Sequence, residues 1–218
     1  MNAKALAQLY WRVGYREDPL GFVPRELCAW NHRFDDLHRR FRTVYLAEHA
    51  ETAVREVVAD FRPKLSAIAD FEAAMGTEAA SELPSAPITA AWRKQHVLAQ
   101  ATVLLEAPMC DLIEPGERQA VEERHAALLD EHRMEHLDLH EITTARRVIT
   151  QTIAADLYDQ GYAAVCFPSR LDGEPCLALF EERGELALAS EPLALTDPPP
   201  EALLRVTEPW HLAIESCR

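Results

Sequence analysis

Apolar residues recur at helical spacing through Glu48–Phe61, at Ala50, Ala53, Val54, Val57, Val58 and Phe61, directly behind a strand-forming run, Thr43-Val44-Tyr45-Leu46-Ala47. Such a stripe has to be buried against another element, and Pro63 ends the helix because proline has no N–H to give it. The stripe centres near Val57 and Phe61, which sets Glu56 on the opposite half beside Thr52. Further along, residues 9–15 read as a strand, 16–42 as loop with one helical turn, and Lys64–Met75 as a second helix. Ser81–Pro87 reads as a surface connection, His96–Leu105 as a strand, Pro115-Gly116 as a turn and Glu117–Arg133 as a charged amphipathic helix. His136–Leu139 reads as a short strand and Thr144–Tyr158 as a helix closed by Gly161. Strands at 163–167 and 176–180 flank a turn holding Asp172-Gly173, and 185–195 is a further strand candidate. Pro198–Pro200 opens a last helical turn, and Trp210–Ile214 is a last short strand. Helices interleaved irregularly with strands predict an α+β fold rather than a regular parallel βαβ layout.

The 218 residues carry a formal net charge of −14. Such a surface repels phosphate backbones and anionic membranes, which disfavours nucleic-acid and membrane binding. An anionic ligand then requires a local positive site, for which Arg33, Arg39, Arg40 and Arg42 are the candidates. A transmembrane helix takes about 18 or more apolar residues, and the best window, His96–Leu105, is much shorter. The first eight residues lack the pattern of a signal peptide, so a soluble, cytoplasmic protein is expected. Five cysteines, with no Cys-x-x-Cys pair, read as reduced and mostly buried thiols.

No glycine-rich phosphate loop and no Gly-x-Ser-x-Gly elbow is present. His132-Arg133-Met134-Glu135-His136 matches an inverted zinc-protease pattern, and on a helix the two histidines would share a face. Its charged flanks and nearby helix end favour a solvated surface, and no metal is expected.

More informative is a set of segments in a fixed order. Tyr10-Trp11-Arg12 comes first, then Arg33-Phe34-Asp35-Asp36, then Arg40–Glu48 and Glu51-Thr52-Ala53-Val54-Arg55-Glu56, and later Phe167-Pro168-Ser169-Arg170 before Phe180-Glu181. Tyr45 follows Arg33 by twelve residues, and Glu56 follows Tyr45 by eleven. Together these segments resemble the RES domain, a family named for an arginine, a glutamate and a serine. The likeness runs over roughly residues 9–183, with 106–133 as a charged insertion and 184–218 as a C-terminal extension of one domain. Asn31-His32 departs from the small residue the family carries before its arginine.

The resemblance implies a mixed-sheet core with flanking helices, similar to ADP-ribosyltransferases, and an activity that consumes NAD⁺. It implies the toxin of a toxin–antitoxin pair, a homodimer silenced by an Xre-type helix-turn-helix antitoxin. NAD⁺ would be cleaved at the nicotinamide–ribose bond with water or phosphate as acceptor, or ADP-ribose would pass to a protein. A catalytically silent binding module is the alternative outside enzymes. Carried over by position, Arg33, Tyr45 and Glu56 are the catalytic set, and Arg33, Tyr45, Ser169 and Arg12 bind NAD⁺. The chemistry suits these residues. Bond breaking builds positive charge on the ribose, which the Glu56 carboxylate would stabilise. A guanidinium grips pyrophosphate oxygens in pairs, Tyr45 offers an aromatic face, and Ser169 a small hydroxyl. Taken singly, each has a plainer reading: Glu56 solvated, Tyr45 in the core, Arg33 exposed, Ser169 in a turn.

Overall fold

A computed structural model describes residues 8–75 and 86–217. Most of the expected connection over Ser81–Pro87 lies outside the described residues, as does the start of the chain. The strands are β1 (Gln8–Tyr15), β2 (Thr43–Ala47), β3 (His96–Leu105), β4 (Met109–Asp111), β5 (Ala164–Pro168), β6 (Pro175–Phe180), β7 (Gly184–Leu188) and β8 (Leu193–Ala194). They form one mixed sheet in the order β4-β5-β6-β2-β1-β3-β7, with β8 also on β3. Among the described strands, β4 and β5 alone pair in parallel. Among the described residues the α-helices are α1 (Ala50–Val58), α2 (Leu65–Met75), α3 (Ala90–Gln95), α4 (Pro115–Arg124), α5 (Ala126–Glu131), α6 (Leu139–Thr143), α7 (Arg147–Asp159) and α8 (Glu201–Thr207). The α+β mixed sheet with flanking helices is therefore the observed fold.

Alternation along the strands sends one set of side chains to each face. Val13, Ala47, Leu98, Ala178 and Phe180 meet Val54 and Val58 of α1, Ile149, Ile153 and Leu157 of α7, and Leu203 and Val206 of α8. The opposite face buries Tyr10, Val44, Leu46, Leu177 and Leu179 beneath Leu20 and Phe22 of the loop after β1. β5 and β6 are buried almost throughout, as strands covered on both faces are.

One seam in this sheet is weak. β1 pairs with β3 over eight residues, and β2 pairs with β6 over all five of its own. Between β1 and β2 the only register pair is Trp11 with Ala47. Continued antiparallel pairing would set Arg12 opposite Leu46 and Val13 opposite Tyr45. Instead the two strands part there, each held by its other neighbour, and the gap opens inside the sheet.

Several elements differ from expectation for identifiable reasons. Pro115-Gly116 opens α4 instead of turning the chain: proline suits the first helical position, and the Glu114 side chain accepts from the Glu117 N–H at 2.7 Å. The long helix expected over 117–133 breaks at His125 into α4 and α5. His136–Leu139 is no strand. The Leu137 N–H goes to the Glu122 carboxylate at 2.7 Å, not to a ladder, and Leu139 starts α6. The strand expected over 185–195 splits into β7 and β8, both on β3. Trp210–Ile214 leaves a single bridge, Ile88 to Ile214. On α1 the buried residues are Thr52, Ala53, Val54 and Val58, so Thr52 faces inward where the periodicity sets it outward. Gly161, at φ 87°, ends α7 as expected: its N–H reaches Tyr158 O, and the Tyr162 N–H reaches Leu157 O.

Three thiols sit on buried strand positions. Burial pushes Cys110 and Cys166 up to about 12, and Cys176 higher still. A thiol held protonated is a poor nucleophile. A thiol reagent at neutral pH is expected to modify the native protein at Cys28 and Cys217 only, and all five cysteines once it is unfolded. Mass spectrometry of the labelled protein reads this directly, and rapid native labelling at 110, 166 or 176 would contradict it.

Candidate active site in the split of the sheet

The gap between β1 and β2 is a cleft of about 250 Å³. Both sheet faces contribute to it: Arg12 and Leu46 from one, Trp11, Val13, Tyr45 and Ala47 from the other. Glu56 and Val57 come from α1, and His32 and Arg33 from the loop before β2. Arg147 comes from the start of α7, Phe167 from the end of β5 and Arg170 from the turn after it. Of the residues named from sequence, Arg12, Arg33, Tyr45 and Glu56 line this one cavity, and Ser169 joins it through Glu56.

Glu56 is exposed, one turn on from the buried Thr52. The buried Ser169 donates its hydroxyl to Glu56 Oε1 at 2.6 Å and accepts from the Leu171 N–H at 3.1 Å. The turn carrying Ser169 is closed by its own backbone, Ser169 N–H to Glu174 O at 2.8 Å and Gly173 N–H to Ser169 O at 3.0 Å. Gly173 takes φ 80°, a left-handed conformation that suits glycine.

Asp172 fastens that turn to α1. Its Oδ2 accepts from Thr52 Oγ1 at 2.9 Å and from Arg55, which forms an ion pair with it. Burial alone would raise the Asp172 carboxyl. The hydrogen bonds from Thr52 and Arg55 outweigh it and hold the group below the usual carboxylate range. Glu56 and Ser169 are thus held in contact by a clamp from the same helix that carries Glu56.

Tyr45 is half-buried. Its hydroxyl accepts from the Phe34 N–H at 2.8 Å and donates to Asp35 Oδ1 at 3.1 Å. Burial, then the nearby Asp35 charge, raises the phenol well above its ordinary value, so it stays protonated. Its ring is flanked by His32 at 5.6 Å between centroids and by the edge of Phe167 at 6.4 Å. Tyr45 therefore supplies an aromatic wall whose angle is set from behind.

Four guanidiniums and one carboxylate line the cleft of a chain with net charge −14. Arg12 donates to Gly21 O at 2.8 Å, and burial lowers its pKa to about 10, with Asp18 opposing. Arg33 is lowered by burial first and by the charge of Arg147 next, while Glu56 pulls the other way. The positive site is not the one expected from Arg39, Arg40 and Arg42, none of which lines the cleft. Arg40 pairs with Asp36 and Asp159, and Arg42 with Glu181. Asp36 in the same loop, Asp159 at the end of α7 and Glu181 just after β6 absorb Arg40 and Arg42, and the last two are invisible as partners in one dimension.

The histidine cluster does not form the metal face that helical spacing allows. α5 ends at Glu131, so His132 caps the helix while His136 lies beyond it and pairs with Glu122 at 3.2 Å. Among the described residues no group of three or more His, Cys, Asp or Glu is arranged to hold a metal ion. No described helix is long and apolar enough to cross a membrane.

No local pattern marks Arg147, which arrives from a helix 114 residues after Arg33. Asp172 reads along the chain only as a turn residue, although an Asp-Gly pair three residues past Ser169 locates the turn that holds it. Comparison with curated proteins gives no match. Among solved structures, a chain of the M. tuberculosis MbcT–MbcA toxin–antitoxin complex is similar at a TM-score of 0.50 and 19% identity, covering 87% of this chain and 86% of that one. At that identity the likeness speaks for the fold. The RES domain model matches residues 9–203, nearly the whole length, and the chain belongs to the RES domain family.

Proposed function

We propose that this chain cleaves NAD⁺ at the nicotinamide–ribose bond and is the toxin of a toxin–antitoxin pair. The observation that carries the reading is the Glu56–Ser169 contact at 2.6 Å inside a cleft whose lining is otherwise cationic and aromatic. NAD⁺ needs these three surroundings at once: positive charge for its pyrophosphate, an aromatic wall for its nicotinamide, and one fixed carboxylate at the ribose. As the glycosidic bond lengthens, electrons leave with nicotinamide and positive charge spreads over the ribose ring. Glu56 stabilises that charge without moving, because Ser169 holds Oε1 and leaves the other carboxylate oxygen for the sugar. Tyr45 stacks on the departing ring, and the arginines take the phosphates.

Membership of the family and the toxin–antitoxin complex of the structural neighbour support a cognate antitoxin as partner. In this reading the partner is an Xre-type protein that supplies the DNA binding this acidic chain lacks, and the toxin acts as a homodimer in the cytoplasm. Following free nicotinamide after adding NAD⁺ to the purified chain, with and without phosphate, tests the function. Release is expected, with the phosphate dependence identifying the acceptor. Nucleotide binding without nicotinamide release would make the chain a silent binding module.

A further inference from the structure

Loop 30–33 and the α6–α7 joint are strapped together from both sides. Arg33 sends Nη1 to the carbonyls of Ile142 and Thr144 (2.9 Å to the latter) and Nη2 to that of Thr143 at 2.9 Å. Those are the last carbonyls of α6, which the helix itself leaves without donors and whose partial negative charge suits a cation. In the reverse direction Arg147 Nη1 donates to Asn31 O, and Gln151 Nε2 donates to His32 O at 2.9 Å. Three of the five N–H groups of Arg33 are thus committed to backbone. Arg147 commits one, and Arg170, exposed, commits none to any described residue.

We propose that Arg147 and Arg170 are the residues that grip the pyrophosphate in this site, and that Arg33 is a positioning residue that places Arg147 by holding the 142–144 carbonyls. The proposal rests on the reading of the cleft as a dinucleotide site and refines it. A bidentate grip on a phosphate takes two parallel N–H groups of one guanidinium. Arg147 and Arg170 have most of their N–H groups free to form such pairs, whereas Arg33 keeps only its Nε–H and one Nη2–H, on a guanidinium already fixed by three carbonyls. Two cations without a carboxylate partner facing one cleft repel each other until an anion sits between them. Four guanidiniums against the single carboxylate of Glu56 leave an excess of three positive charges in the lining, which a doubly charged pyrophosphate offsets in large part. Lysine at position 33 keeps the charge and loses the planar fork that spans consecutive carbonyls.

Inorganic pyrophosphate is the probe, because it binds without chemistry. Titration calorimetry on the full chain is expected to show binding by the wild type. Arg147→Gln with Arg170→Gln should weaken it by about tenfold or more, in line with the loss of charge-assisted hydrogen bonds. In NAD⁺ turnover the same pair of substitutions should raise KM far more than it lowers kcat. Arg33→Lys should weaken pyrophosphate binding when Arg147 is present and change it little in an Arg147→Gln background, a coupling that a general loss of stability does not produce. Both exposed arginines can be replaced without disturbing the core, and an unchanged melting curve checks this. Pyrophosphate binding kept by the double variant but lost in Arg33→Lys, or no binding by the wild type, overturns the proposal. If pyrophosphate binds with the expected pattern but NAD⁺ is not cleaved, the anion site stands and the proposed function falls; the reverse result separates them the other way.

Discussion

Glu56→Gln is expected to reduce nicotinamide release by about a hundred- to a thousand-fold while the protein folds and melts as the wild type does. The size follows from losing one preorganised electrostatic partner of a charge that exists only in the transition state, an effect of roughly that magnitude in measured cases. Glutamine keeps the shape and an oxygen that accepts from Ser169, so the 2.6 Å contact survives and only the negative charge is removed. The KM for NAD⁺ is expected to change little, because the ground-state nicotinamide ribose carries little of the charge that Glu56 answers. Aspartate at the same place keeps the charge and shortens the arm by one methylene, out of reach of Ser169 and of the sugar together, and should recover only part of the loss. A Glu56→Gln protein within tenfold of the wild type would remove Glu56 from the reaction. The helix carrying Glu56 contributes its buried face to the core through Ala53, Val54 and Val58, which is why an exposed residue on it can be changed without cost to the fold.

Local charge, more than global charge, decides what this cleft takes. A long-range field from −14 slows an anionic ligand's approach but is screened over about 8–10 Å at physiological salt. A cleft of about 250 Å³ sets its four guanidiniums closer than that to any anion it would hold. Their charge is also less screened, since Arg12 and Arg33 are partly shielded from water. The acidic exterior then acts at longer range, where it disfavours polyanions.

Much of this was legible in one dimension wherever the signal is local. The α1 helix, the β2 run before it and the Asp172-Gly173 turn each depend on neighbours within a few residues, and each appears in its expected place, although the helix is shorter than expected and Thr52 faces inward. Arg33, Tyr45 and Glu56 converge because the strand–helix unit that carries two of them is short and stiff. What stayed hidden is what only tertiary contact creates. Nothing along the chain announces that β1 and β2 part after a single register pair, since divergence is set by their stronger pairing to β3 and β6. Arg147 enters from a distant helix, and the commitment of Arg33 to the 142–144 carbonyls depends on where α6 ends. Helix ends were the weak point generally: Pro115 and His125 carry signals that fit a turn and a continuous helix as well as the boundaries they actually form.

Arg93→Met is expected to destabilise the fold by about 3 kcal/mol, near the lower end of the range for removing one partner of a buried ion pair. Arg93 is fully buried, the largest such side chain in the core. Its Nε donates to Leu195 O at 2.7 Å, one terminal nitrogen to Glu215 O and the other to Asp197 Oδ1 at 2.6 Å. Asp197 in turn accepts from the Cys217 N–H at 2.6 Å and from the Ser216 hydroxyl at 3.1 Å, contacts that hold its carboxyl below the usual range together with Arg93. One guanidinium therefore ties the β8 end, the 195–197 segment and the tail at 215–217 to α3. Methionine fills comparable volume, so the loss is of donors rather than packing. Leu195, itself fully buried, keeps a carbonyl without its partner, while Asp197 is 40% exposed and recovers water, which is why the lower end applies. For a chain of this length the midpoint should fall by about 6–12 °C. The exposed Arg205, paired with Glu201 and Glu51 at the surface, is the matched control: Arg205→Met should cost less than about 1 kcal/mol. Equal losses for the two substitutions in urea unfolding would show that the buried cluster carries no more than a surface pair, and that the C-terminal segment is held by its apolar contacts instead.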